Sequence, residues 1–105
     1  MRAGRLRHSV VIQQNTPTRN GKGEEIENWS TFATRSAAVV PLTGREMFNA
    51  QQRHAEAELR IELRYLAAIT TKMRVSYDSR LFDILHVADI EERRRETHLL
   101  VKQRN

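Results

Sequence analysis

The chain has 105 residues, of which 39% are hydrophobic and 30% charged, with 18 basic against 13 acidic side chains and a formal net charge of +5. That length suits one domain over residues 1–105 with a modest core that oligomerisation would help to stabilise, and it argues against a multidomain enzyme. With no cysteine in the chain, disulfides, a thiolate nucleophile and any cysteine-based metal site are excluded.

The apolar residues cluster in alternating runs, so the chain is expected to fold despite its polarity. Its start, Met1-Arg2-Ala3-Gly4-Arg5-Leu6-Arg7, has the charge of a signal n-region with no apolar segment behind it. No run approaches membrane-spanning length, and a soluble cytoplasmic product without a membrane partner is expected. The pI of about 10.4 favours an anionic neighbour such as nucleic acid. Against that, the basic groups at Arg2, Arg5, Arg7, at Arg93-Arg94-Arg95 and at Lys102 and Arg104 are answered by Glu24, Glu25, Glu27, Glu91 and Glu92.

In chain order, Ser9-Val10-Val11-Ile12-Gln13 is short and rich in β-branched residues, which predicts a strand over 8–14. Residues 15–25 combine Pro17, Asn20-Gly21 and Gly23 in one polar segment, a long loop or the exposed tip of a long hairpin. Residues 26–40, with Trp29, Phe32 and Val39-Val40, predict a second strand bent or bulged near 33–38, where small residues permit close packing. Pro41 lacks a ladder donor and ends it.

The next segment, Pro41-Leu42-Thr43-Gly44-Arg45-Glu46-Met47-Phe48-Asn49-Ala50-Gln51-Gln52, predicts a helix in a chain otherwise made of strands. Thr43 and Glu46 stand at capping-box spacing, and Leu42 and Met47 at the spacing of a hydrophobic staple. Beyond Met47 the apolar positions are thin, so this helix buries little of itself. Two readings follow: a connector lying over one end of a sheet, which the local pattern favours, or an interface element whose residues bind a partner.

The clearest strand covers 57–65, where Ala57, Leu59, Ile61, Leu63 and Tyr65 alternate with Glu58, Arg60, Glu62 and Arg64, predicting one core face and one solvated face. A turn over 69–72 leads to alternation over 73–77, a tight hairpin connection at Asp78-Ser79-Arg80, and the most apolar run at 81–90. A charged turn over 91–96 precedes a closing strand at 97–103. About six short strands with one small helix between the second and third describe a mainly β chain, a small antiparallel barrel or sandwich.

No catalytic set assembles from these residues. His8, His54, His86 and His98 form no metal-ligand pair, no serine is flanked by nucleophile-elbow glycines, and Gly21-Lys22-Gly23 is a turn rather than a phosphate loop. No cofactor is expected. Nucleic-acid binding by stacking would need aromatic platforms, but Phe82 and Tyr65 fall at packing positions and no strand alternates aromatic with basic residues.

Taken together, Gly4-Arg5-Leu6-Arg7-His8, Trp29, the 41–52 run, Met73-Arg74-Val75, Leu81-Phe82-Asp83-Ile84 and Glu91-Glu92-Arg93-Arg94-Arg95 give the chain its likeness. Over nearly its whole length it resembles the tailed-phage head-tail adaptor family, also called head-closure, stopper or head-tail joining proteins. Three positions depart from the family pattern: Ser9 where a basic residue is common, Asp78-Ser79 where the turn often carries glycine, and the small run Ser36-Ala37-Ala38.

The resemblance implies a structural protein rather than an enzyme: a small β-barrel that assembles as a homo-oligomeric ring beneath the portal or adaptor ring after DNA packaging. It closes the channel on the packaged double-stranded DNA and offers the tail-completion or tail-terminator protein a docking surface at the virion head-tail junction. Assembly would take place in the host bacterial cytoplasm. In such proteins the segment between the second and third strands closes the channel, which here points to Thr43, Gly44, Arg45, Glu46, Met47, Phe48, Gln51, Gln52 and Arg53. Arg2, Arg5, Arg7, Arg19 and Lys22 are candidates for portal or subunit contact. The alternative is a small basic β-barrel that binds nucleic acid by itself.

Overall fold

A computed structural model describes residues 7–53, 56–89 and 95–104. The elements in order are β1 (His8–Asn15), β2 (Thr18–Arg19), β3 (Glu25–Ile26), β4 (Trp29–Pro41), α1 (Gly44–Gln51), β5 (Leu59–Arg64), β6 (Arg74–Tyr77), β7 (Arg80–Asp89) and β8 (Glu96–Gln103). Six strands close an antiparallel barrel in the order β1-β4-β5-β8-β7-β6, while β2 and β3 pair as a separate ribbon. The mainly β expectation is met as a barrel, with the helix between its second and third strands.

Strict alternation creates the barrel interior, because successive side chains on a strand point to opposite faces. Val10 and Ile12 of β1, Ile61 and Leu63 of β5, Val75 of β6, Phe82 and Ile84 of β7, and Leu99 and Val101 of β8 are buried and pack into one cluster. Ala37 of β4 joins them, its small side chain leaving room for neighbours across the barrel. Thr97 is the buried polar exception on β8, and its hydroxyl accepts the Leu66 N–H at 3.2 Å.

Two bulges help the sheet curl on itself. In the β1–β4 pair Ile12 faces Ala33 and Gln13 faces Thr31, so Phe32 is the extra residue. That is one position upstream of the expected 33–38 window. In the β7–β8 pair Ile84 faces Val101 and His86 faces Leu100, leaving Leu85 unpaired. The second bulge also resets the alternation: Phe82 and Ile84 point inward before it, and Val87 packs on the core after it.

The β6–β7 hairpin pairs Tyr77 with Arg80, so its turn consists of Asp78 and Ser79 at φ 52° and 59°. Positive φ at both central residues is the two-residue geometry whose twist matches flanking strands.

Two expectations for the strand at 57–65 need correction. Glu62 is only 3% exposed, so the face opposite the core is not uniformly solvated. Tyr65 is 37% exposed rather than packed inside, because it lies just past the end of β5, where the regular alternation stops.

Candidate functional site

The helix α1 follows Thr43, whose extended backbone (φ −139°, ψ 154°) places it as N-cap. The expected capping box does not form. The Thr43 side chain makes no capping hydrogen bond, and the Glu46 carboxylate pairs with the Arg60 guanidinium on the barrel wall. A full cationic partner from β5 outcompetes a single backbone amide for that carboxylate. Gly44 opens the helix at φ +54°, a left-handed conformation that turns the chain out of β4.

Leu42, 2% exposed, anchors the entrance, and its N–H donates to the Glu58 carbonyl at 3.1 Å. At the far end the Gln51 side-chain amide donates to the Ala57 carbonyl at 3.0 Å. Between these ties α1 has no buried residue, and Phe48 presents 64% of its surface to solvent. Met47 is half-buried, whereas Thr43, Gly44, Arg45, Glu46, Gln52 and Arg53 are exposed. An open cleft of about 480 Å³ runs along the carboxyl end of the helix, lined by Asn49, Ala50, Gln52, Arg53, His86 and Leu100. His54 and Ala55, which complete the flank, lie outside the described residues.

The segment at 15–28 is a hairpin tip rather than an irregular loop. Asn20 organises it: its side-chain oxygen accepts the N–H groups of Lys22 at 2.9 Å and Glu24 at 3.0 Å. Gly23, at φ +80°, supplies the conformation the turn requires, and its N–H donates to the Asn20 carbonyl at 3.0 Å. Arg19 and Lys22 are exposed here, beside Glu24 and Glu25 of opposite sign. Arg7 is exposed at the start of the described chain, while Arg2 and Arg5 lie outside the described residues. The expected charged turn at 91–96 is likewise outside them over 91–94. The fold therefore puts Arg19 and Lys22 on the β2–β3 tip and the channel candidates on α1, two separate surfaces.

Among the described residues no group of three or more His, Asp or Glu side chains stands together as a metal site, and no helix is long and apolar enough to cross a membrane. The His8 and Tyr77 rings meet in a T-shaped arrangement at 5.3 Å between centroids, with His8 Nδ1 3.1 Å from the Tyr77 hydroxyl.

One cluster escaped the reading of the sequence. The guanidinium carbons of Arg74 and Arg104 lie 4.0 Å and 5.3 Å from the Trp29 ring centroid. The three residues come from β4, β6 and the residue following β8, so no spacing along a single strand announces them. They meet only because β1 pairs with both β4 and β6, and β7 with both β6 and β8.

A family model for the phage head completion protein matches residues 1–104. Head completion protein gp7 of Enterobacteria phage HK97 is 28% identical over 75 residues, covering 71% of this chain and 67% of that protein. Protein SF1141 from Shigella flexneri 2a has a solution structure that superposes with a TM-score of 0.79 at 26% identity, covering 98% of this chain and 96% of that one. A chain in the virion of a native gene transfer agent particle shares the fold, with a TM-score of 0.62 at 15% identity over 91% of this chain and 93% of its own. The family match spans the β-barrel, the hairpin tip and α1 alike, and the chain belongs to the phage head completion protein family.

Proposed function

We propose that this structural phage connector protein assembles as a ring beneath the portal once DNA is packaged, with residues 43–55 facing the channel and closing it. The observation that carries this reading is a helix with no buried residue and an exposed Phe48, tied to the barrel at its ends and through Glu46. Such an element contributes little to its own core, and an exposed aromatic on it suits contact with another surface. The β2–β3 tip, with Arg19 and Lys22, and the basic residues Arg2, Arg5 and Arg7 contact the portal or the neighbouring subunit. A head-to-tail ring needs two different patches on each copy, and α1 and the tip are two such patches. The finished ring then presents the tail with its docking surface at the head-tail junction.

The cysteine-free chain makes the test direct. Gln52→Cys subunits, treated with a short bis-maleimide, are expected to cross-link to one another in DNA-filled heads and not as free protein. Heads carrying Phe48→Ser are expected to leak DNA. A connector reconstruction that places residues 43–55 on the outer wall would overturn the channel assignment. Stand-alone nucleic-acid binding predicts instead a steep salt dependence of DNA affinity for the free subunit.

A further inference from the structure

Asn20 is followed by Gly21, whereas Asn15, Asn28, Asn49 and Asn105 precede no glycine. The dipeptide lies at the end of the β2–β3 ribbon, where Asn20 is half-buried and residues 21–25 are exposed. The Asn20 side-chain oxygen accepts the Lys22 N–H at 2.9 Å and the Glu24 N–H at 3.0 Å. Its amide nitrogen is held less closely, with the Glu24 carboxylate 3.4 Å away. Among the described residues the Gly21 N–H donates to no acceptor. A Cβ at Gly21 would meet nothing within 4 Å, so the space around it is open.

These positions bring together the parts of an intramolecular acyl transfer. The Gly21 nitrogen is the nucleophile, the Asn20 carboxamide carbon the electrophile, and the carboxamide nitrogen the leaving group. Two N–H groups aimed at the carboxamide oxygen draw electron density from that carbon and stabilise the negative charge that develops on the oxygen. Arg19, whose guanidinium donates to the Gly23 carbonyl at 3.4 Å, adds a cation on the same turn. Attack from the next residue needs no encounter, and glycine sets no side chain beside its nitrogen.

We propose that Asn20 is a site of spontaneous deamidation in the folded protein. Hydroxide takes the Gly21 amide proton, and the nitrogen bonds to the Asn20 side-chain carbon. The carboxamide carbon–nitrogen bond then breaks, its nitrogen taking a proton from water and leaving as ammonia, which returns the hydroxide. Water opens the resulting five-membered succinimide at either carbonyl and the new carboxyl group gives up its proton. Opening at the side-chain carbonyl yields aspartate, and opening at the main-chain carbonyl yields isoaspartate. Either product sets a new negative charge beside Glu24 and Glu25. Isoaspartate also lengthens the backbone by one atom, which disrupts a turn closed by Asn20 N–H to the Glu24 carbonyl and Gly23 N–H to the Asn20 carbonyl, each at 3.0 Å.

The full protein and a peptide of residues 17–25 are incubated side by side in mildly alkaline buffer at body temperature. Peptide-level mass spectrometry locates a gain of one mass unit, and enzymatic methylation of isoaspartate identifies the product. Asn20 is expected to convert in the folded protein at least as fast as in the peptide, with Asn15, Asn28 and Asn49 left intact. Gly21→Ala is expected to slow conversion about tenfold, which is about 1.4 kcal/mol on the barrier. Circular dichroism checks that this variant folds, and the comparison of parent protein with peptide decides the matter if it does not. Slower conversion in the folded protein than in the peptide overturns the proposal, because the turn then protects the residue. So does conversion spread over the other asparagines, or a rate unchanged in folded Gly21→Ala. Heads and portals take no part in the measurement, so its failure leaves the contact role of the tip to its own test.

Discussion

Arg60 donates from Nε to the Glu62 carboxylate across 2.7 Å, and the other arm of the same guanidinium holds Glu46 of α1. Glu62 is 3% exposed while Arg60 keeps 23% of its side-chain surface in solvent. One cation thus compensates a buried carboxylate and fastens the helix to the barrel. Removing it takes one charged hydrogen-bond partner from Glu62 and the tie from α1, so Arg60→Ala is expected to destabilise the fold by about 1–2 kcal/mol, the scale of a lost hydrogen bond to a charged group where solvent reaches the cation. Glu46→Ala, at the exposed end, should cost less than about 1 kcal/mol. Urea unfolding followed by circular dichroism compares the two.

Phe48 separates stability from assembly. With 64% of its surface in water, Phe48→Ser should leave the unfolding free energy within about 0.5 kcal/mol of the parent. The same substitution is expected to lower incorporation into connectors, measured as the amount of protein that co-sediments with DNA-filled heads.

The β6–β7 turn stores strain that can be removed. Asp78 and Ser79 hold left-handed backbones without the freedom of glycine. Replacing Asp78-Ser79 with Asn-Gly should stabilise the protein by about 0.5–1 kcal/mol, seen as a rise of a few degrees in melting temperature.

Phe82 is the largest of the fully buried side chains, at 1% exposure. Phe82→Ala is expected to cost about 3–5 kcal/mol. Against a total of roughly 5–15 kcal/mol for a domain of this size, much of the population should unfold at modest denaturant. Equilibrium denaturation measures the shift.

Lys102 donates to Glu56, and that hydrogen bond, with the carboxylate charge behind it, raises the lysine above its ordinary value. A raised cation stabilises below its unfolded pKa, and that contribution is lost as pH climbs through the folded one. The lysine's contribution to the pair should therefore persist through neutral pH and be lost in strong alkali. In Glu56→Gln, the Lys102 ammonium followed by NMR should titrate at a lower pH than in the parent.

How much was legible in advance depended on the range of the interaction. Alternation at Ile61 and Leu63, turn chemistry at Asn20 and Gly23, and the thin apolar face behind Met47 act between near neighbours, and they determined the strands, the hairpin tip and the poorly buried helix. The spacing of Thr43 and Glu46 is equally local, yet it misled, because Arg60 competes for that carboxylate from another element. Glu62 read as solvated and is buried, beside Arg60 of its own strand. Trp29, Arg74 and Arg104 became one cluster because the closed barrel brings β4, β6 and the end of β8 together. Local backbone preference and side-chain periodicity are written along the chain. Which charge of one element answers which of another was decided by strand order and register, because electrostatic partners are chosen by distance in space and by burial.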